Sequence, residues 1–220
     1  MPRDGSHTRR RFLAGLAAGM AVGAAGASSA AASLIVTPRQ GEGPFYPTDL
    51  PLDRDNDLVA VAGRPGTAQG EIVHLFGRVL DESGRPVPAA RVEIWQCDAF
   101  GQYHHVGRTG GRYDPDFQGF GAMTVGSDGA YRFRTIEPVP YTGRTPHIHF
   151  AITGAGIERL TTQMYIAGHP LNERDFLYRS IDDARARDSV SVRFERAPRI
   201  APDAVAGNFD IVLGRNTLRG

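Results

Sequence analysis

Short runs rich in β-branched and aromatic residues, each bounded by glycine, proline or aspartate, recur along the chain and leave few folds available to it. They occupy residues 72–80, 90–96, 130–136, 147–153, 160–165, 189–194 and 209–213, and no helix of comparable periodicity lies among them. Asp81-Glu82-Ser83-Gly84-Arg85-Pro86 and Ser127-Asp128-Gly129 are turn chemistry between such runs and imply hairpins. Many short strands joined this way predict an all-β chain, an antiparallel two-sheet β-sandwich rather than a βαβ fold. Long loops would carry any site, residues 98–121 being one such insertion. Residues 173–187 mix acids and arginines with few apolar anchors and fit a short helix or a loop equally well.

Residues 1–32 are expected to be a targeting segment. Thr8-Arg9-Arg10-Arg11-Phe12-Leu13 sets arginines before an Ala/Gly-rich run that ends in small residues, the pattern of a twin-arginine export signal. That run is too weakly apolar for a bilayer span, so no stable membrane span is expected after cleavage, and the chain would be periplasmic or extracellular. Residues 33–70, rich in proline, glycine and aspartate, predict an irregular arm, and residues 71–220 one sandwich domain. Removing residues 1–32 takes away four arginines and one aspartate and turns the formal net charge from +1 to −2. Dispersed charge near neutrality offers no basic stripe for phosphates, which argues against a nucleic-acid partner. Cys97 is the single cysteine, so neither an intramolecular disulfide nor a thiolate zinc cluster is available.

His147-Ile148-His149 lies in a strand-like run, where the period of two sends both imidazoles to one face. Two ligands of one metal need such a shared face, although the pair read alone is equally a pair of core or surface histidines. Tyr103 and Tyr141 flank it in loop contexts, and each alone reads as a core aromatic with its hydroxyl at the surface. Arg144 alone reads as a solvated loop arginine, and Gln163 as a polar-face strand residue.

Together these residues change in meaning. Trp95-Gln96-Cys97-Asp98-Ala99-Phe100-Gly101-Gln102-Tyr103, Tyr141 and Pro146-His147-Ile148-His149-Phe150 resemble the ordered motifs of the intradiol ring-cleavage dioxygenases, the protocatechuate 3,4- and catechol 1,2-dioxygenase-like proteins. Gly43-Pro44-Phe45-Tyr46-Pro47, Gly77-Arg78-Val79-Leu80 and Arg134-Thr135-Ile136 extend the likeness from about residue 43 to about residue 171. The resemblance implies mononuclear non-haem Fe(III) held by Tyr103, Tyr141, His147 and His149, with Tyr141 and His149 axial. It implies that a small aromatic diol and O2 are the substrates and a ring-opened muconate-type dicarboxylic acid the product. Arg144 and Gln163 match positions that face the substrate ring, and Tyr46 matches a segment at the site mouth, where it would either bind substrate or pack the arm. Hard phenolates favour ferric over ferrous iron, which agrees with that ligand set.

The segment from Tyr141 to His147 is shorter than in the protocatechuate branch, which puts the placement of Arg144 and the shape of the pocket in question. The long helical extension through which catechol-type members dimerise has no counterpart before residue 72, and whether copies form a homo-oligomer stays open. Two alternatives remain. The hairpin of residues 77–88 also resembles prealbumin-like exported binding modules. The histidine pair could instead join a carboxylate such as Glu137 in a ferrous oxygenase site.

Overall fold

The computed structural model describes residues 34–104 and 111–218, so the expected export signal lies outside the described residues. Among the described residues ten strands follow in chain order: β1 (Ile72–Asp81), β2 (Arg91–Trp95), β3 (Phe120–Thr124), β4 (Ala130–Ile136), β5 (His147–Gly154), β6 (Ile157–Ile166), β7 (Ser191–Val192), β8 (Glu195–Arg196), β9 (Val205–Asn208) and β10 (Ile211–Leu213). A 3-10 turn (Asn172–Arg174) and two short helices, α1 (Phe176–Arg179) and α2 (Ala184–Ser189), occupy the segment that the sequence left undecided. Among the described residues no helix is long and apolar enough to cross a membrane.

The strands form two sheets. In one, β1 pairs with β4 on one side and with β9 and β10 on the other, and β8 joins β9; the second runs β3-β2-β5-β6-β7. The sandwich is the expected one, but its sheets are mixed rather than purely antiparallel. Strands β9 and β10 run parallel to β1, and β7 runs parallel to β6. A tight turn can join only antiparallel neighbours, whereas the helical segment between β6 and β7 is long enough to carry the chain back for a parallel pair.

Leu75, Val79, Tyr131 and Phe133 of the first sheet meet Ile94, Ile148, Phe150, Ile152 and Met164 of the second in one buried cluster. Fully burying side chains of this size contributes roughly 1.5–3 kcal/mol each. Gly77 is needed where the sheets close. A Cβ there would overlap the carbonyl oxygen of Phe209, which also accepts the Tyr131 hydroxyl.

Every residue of β5 from His147 to Ile152 is buried, so this central strand is covered on both faces. Ile148, Phe150 and Ile152 face the inter-sheet core. The opposite face belongs to a second cluster, in which Trp95, Tyr103, Phe120 and Ala151 pack under Phe45, Tyr46 and Tyr141. The segment before β1 forms that cover. It is stitched to β6 by Gln40, whose backbone N–H donates to Thr161 O (2.9 Å) and whose side-chain oxygen accepts from Gln163 N (3.1 Å).

Candidate metal centre

The outer face of the second sheet gathers the chemistry. Antiparallel register sets Trp95 of β2 and Gln163 of β6 on either side of His149, and sets Tyr165 beside His147. Trp95 stacks on the His149 ring at 4.8 Å and 7°. Alternation along β5 then brings His147 Nε2 to 3.2 Å from His149 Nε2.

Two loops bring the tyrosines. Asp98 ends the β2 segment and anchors the first loop with both carboxylate oxygens: Oδ1 accepts from Phe100 N (2.9 Å) and Gln102 N (3.0 Å). Its Oδ2 accepts from Asp114 N (2.7 Å) and lies 2.9 Å from His104 Nε2. Gly101, at φ 74°, supplies the left-handed residue that closes this turn, and Tyr103 leaves it stacked on Phe45 at 4.3 Å and 6°. Tyr141 lies on a tight turn closed by Arg144 N donating to Tyr141 O (2.9 Å) and meets Tyr103 edge-on at 5.6 Å. The short Tyr141-to-His147 segment therefore keeps Arg144 at the cluster. Its Nη1 is 3.4 Å from both the Tyr141 hydroxyl and His147 Nε2, and its Nη2 donates to Gln163 Oε1 at 2.6 Å.

The protonation states of this cluster leave its nitrogens free to ligate a metal ion. His147 Nδ1 lies 2.7 Å from the Thr145 carbonyl, which can only accept, so Nδ1 carries the proton and Nε2 presents a lone pair. Burial, then the Arg144 guanidinium, pushes the His147 pKa down to about 4. Burial, then His147 and Arg144, holds His149 well below the ordinary imidazole value, so both rings are neutral at pH 7. The Tyr103 hydroxyl and His149 Nδ1 are buried without a hydrogen-bond partner. An unpaired buried polar group costs about 1–3 kcal/mol. Neutral imidazole nitrogens with two phenol oxygens beside them form a donor set that a hard trivalent ion would satisfy, and the residues present fit such an ion. Burial pushes Tyr103 well above the ordinary phenol pKa and also raises Tyr141, there opposed by Arg144; a bound ion would supply the deprotonation.

Tyr141, Arg144 and Thr145 also line a cavity of about 580 Å³, with Phe100, Pro140, Leu171 and Arg174 around it. The structure thus brings together Tyr103, Tyr141, Arg144, His147, His149 and Gln163. Tyr46 packs in the arm: its hydroxyl donates to Glu93 (2.9 Å) and its ring lies against Trp95 and Arg159. Glu137 borders a separate hollow beside Ile166 and Phe194. Among the described residues no three His, Cys, Asp or Glu side chains converge, so the histidine pair has no carboxylate to complete a ferrous triad. Sequence reasoning missed Gln40, which lies in the arm, and Asp175, which holds Arg144 Nε at 2.7 Å. An aspartate directly before Phe176-Leu177-Tyr178-Arg179 is a helix-cap pattern and could have drawn attention to Asp175.

A family model described as Dioxygenase matches residues 41–215. The protocatechuate 3,4-dioxygenase beta chain of Burkholderia cepacia is 39% identical over 168 residues, covering 72% of this chain and 71% of the relative. Hydroxyquinol 1,2-dioxygenase of Nocardioides simplex is 33% identical over 179 residues, covering 73% of this chain but only 55% of the relative. Among solved structures, the dioxygenase domain of a dioxygenase carbohydrate-binding fusion from Streptomyces sp. SirexAA-E superposes with a TM-score of 0.63 at 30% identity. That match covers 82% of this chain and 99% of the other. The chain belongs to the intradiol ring-cleavage dioxygenase family. This membership sets aside the non-catalytic binding module.

Proposed function

We propose that the protein holds mononuclear ferric iron on Tyr103, Tyr141, His147 and His149 and cleaves a catechol-type aromatic diol between its two hydroxyl-bearing carbons. Both atoms of O2 enter the product, a ring-opened muconate-type dicarboxylic acid, and the balance requires no external reductant. The observation that carries this reading is the pair of imidazole Nε2 atoms 3.2 Å apart, with the partnerless Tyr103 hydroxyl buried in the same cluster. Ferric iron, when bound, supplies Lewis-acid activation of the chelated diol toward dioxygen.

The chain's own groups do the rest. Tyr103 is 7% exposed and locked between Phe45 and Tyr141, so it serves as a fixed ligand. Tyr141 lines the cavity, and its phenolate oxygen is placed to take a proton from an incoming diol hydroxyl. Arg144 and Gln163, joined at 2.6 Å, present a cation and an amide to negative charge that develops on the ring. The arm, with Gly43 close to the His149 ring, keeps water from that side.

The visible spectrum and iron content of the purified protein test this. Stoichiometric iron, a red-brown phenolate band that shifts on adding catechol, and O2 uptake with release of a dicarboxylic acid are expected. A protein that stays colourless after ferrous loading and exposure to air refutes it.

We further propose that residues 1–32 direct export and are then removed, on the strength of Arg9-Arg10-Arg11 before the Ala/Gly-rich run. Protein recovered outside the cytoplasm should begin near Ser33. Changing the three arginines to lysine should retain it inside, and undiminished export of that variant would reject the proposal.

A further inference from the structure

Asp175 does more than cap a helix. Its Oδ1 accepts from Leu177 N (2.9 Å) and Tyr178 N (3.0 Å), the ordinary duty of a residue at the start of α1. The comparable residue of α2, Asp183, accepts only from Ala186 N (2.9 Å). The second oxygen of Asp175 has a different task. Oδ2 accepts from Arg144 Nε at 2.7 Å and from Thr145 N at 2.9 Å, and the carboxylate is fully buried. Thr145 in turn offers its carbonyl to His147 Nδ1, so one carboxylate braces the arginine and the residue next to it, whose carbonyl orients a histidine.

The consequence for Arg144 is geometric. A guanidinium has one Nε–H edge and two Nη groups in a fixed plane, so holding the Nε edge sets the direction of the others. Here they point to Gln163 Oε1 (2.6 Å) and toward the Tyr141 hydroxyl (3.4 Å). The guanidinium carbon lies 5.8 Å from the ring centre of Phe176, the first residue of α1, and Arg144 also lines the cavity. A charged donor on a flexible stem would otherwise turn toward solvent through that cavity.

Resting on the ferric dioxygenase reading, we propose that Asp175 is a positioning residue: it holds Arg144 in the orientation that faces the substrate, and ties that orientation to the start of α1. The Asp175→Asn variant tests this, because asparagine keeps one acceptor for the helix but sets an amide N–H2 against the donors of Arg144 and Thr145.

In the iron-loaded enzyme, Asp175→Asn should retain iron and the visible band while kcat falls about 10- to 100-fold and KM changes far less, the size expected of a misplaced catalytic group. A crystal structure of the variant should show the guanidinium rotated away from Gln163. In an Arg144→Gln background, where both buried charges can be removed together, Asp175→Asn should lower kcat no further. Asp183→Asn, which alters only a cap, should leave kcat unchanged. Unchanged kcat in Asp175→Asn, or an equal loss in the Arg144→Gln background, overturns the positioning role. A colourless, inactive parent protein would instead overturn the ferric reading itself, so the two failures are distinguishable.

Discussion

Tyr103 and Tyr141 bring the same hydroxyl to the same cluster but meet different surroundings. Tyr103 is buried, flat against Phe45, and leaves a loop pinned by all the acceptor capacity of Asp98. Tyr141 sits on a short turn in the cavity wall, with Arg144 3.4 Å from its oxygen. Burial raises the pKa of both phenols, but only Tyr141 has an adjacent guanidinium opposing the rise at hydrogen-bond range. Within the ferric reading, the two substitutions to phenylalanine should therefore separate binding from turnover. Tyr103→Phe should lose most of its iron and its colour, since no mobile group can replace a ligand at a sealed position. Tyr141→Phe should keep much of its iron with a weaker, shifted band, while turnover falls about 100-fold or more for want of a positioned base. Iron per chain and the visible band measure the first effect and steady-state rates the second. Equal iron loss in both variants would contradict the assigned asymmetry.

At the scale of elements, legibility followed periodicity. Strand β4 spans the run at residues 130–136 from end to end, and β5 extends the run at 147–153 by one residue, because each alternates or buries a continuous apolar stretch. Strand β3 was not legible. Phe120-Gly121-Ala122-Met123-Thr124 carries glycine and little β-branching, and it is a strand because Phe120 pairs opposite Trp95 and Gly121 lets Leu58 and the Asp55 carbonyl approach. The run at 189–194 shrinks to β7 because Ser189 ends α2. Both α1 and α2 are too short to show a helical period, and their aspartate caps are what define them. The site followed the same division. His147 and His149 were visible as a strand pair, and the tyrosines only through the motifs around them. Asp175 was legible at most as a helix cap; its tie to Arg144, 31 residues away, exists only once β6 and the loop after it have folded back.

For the whole molecule, the charged side chains set how stability depends on acidity. Between pH 7 and pH 4 the buried histidines dominate the response, because the depressed carboxylates Asp98 and Asp175 differ in protonation between folded and unfolded chain only near and below pH 4. His147 is held down to about 4 by burial and Arg144, against 6.5 when unfolded, and His149 is shifted in the same direction. Across that window the unfolded chain binds protons that the folded chain refuses. The folded state of the iron-free protein is therefore fully favoured above about pH 6.5 and loses stability as pH falls toward 4. His147 alone contributes about 3 kcal/mol to this loss. For a chain of this size, about 3 kcal/mol lowers the melting temperature by roughly 6–12 °C. Thermal melts of the iron-free protein at pH 7 and pH 4 should show a drop of at least that order. The drop should shrink in a His147→Gln, His149→Gln double variant, in which neither position can take up a proton. An undiminished drop in that variant would refute the assignment to the histidine pair; Asp98 and Asp175, held below the ordinary carboxylate range by their hydrogen bonds, give up their stabilisation only as pH falls below about 4.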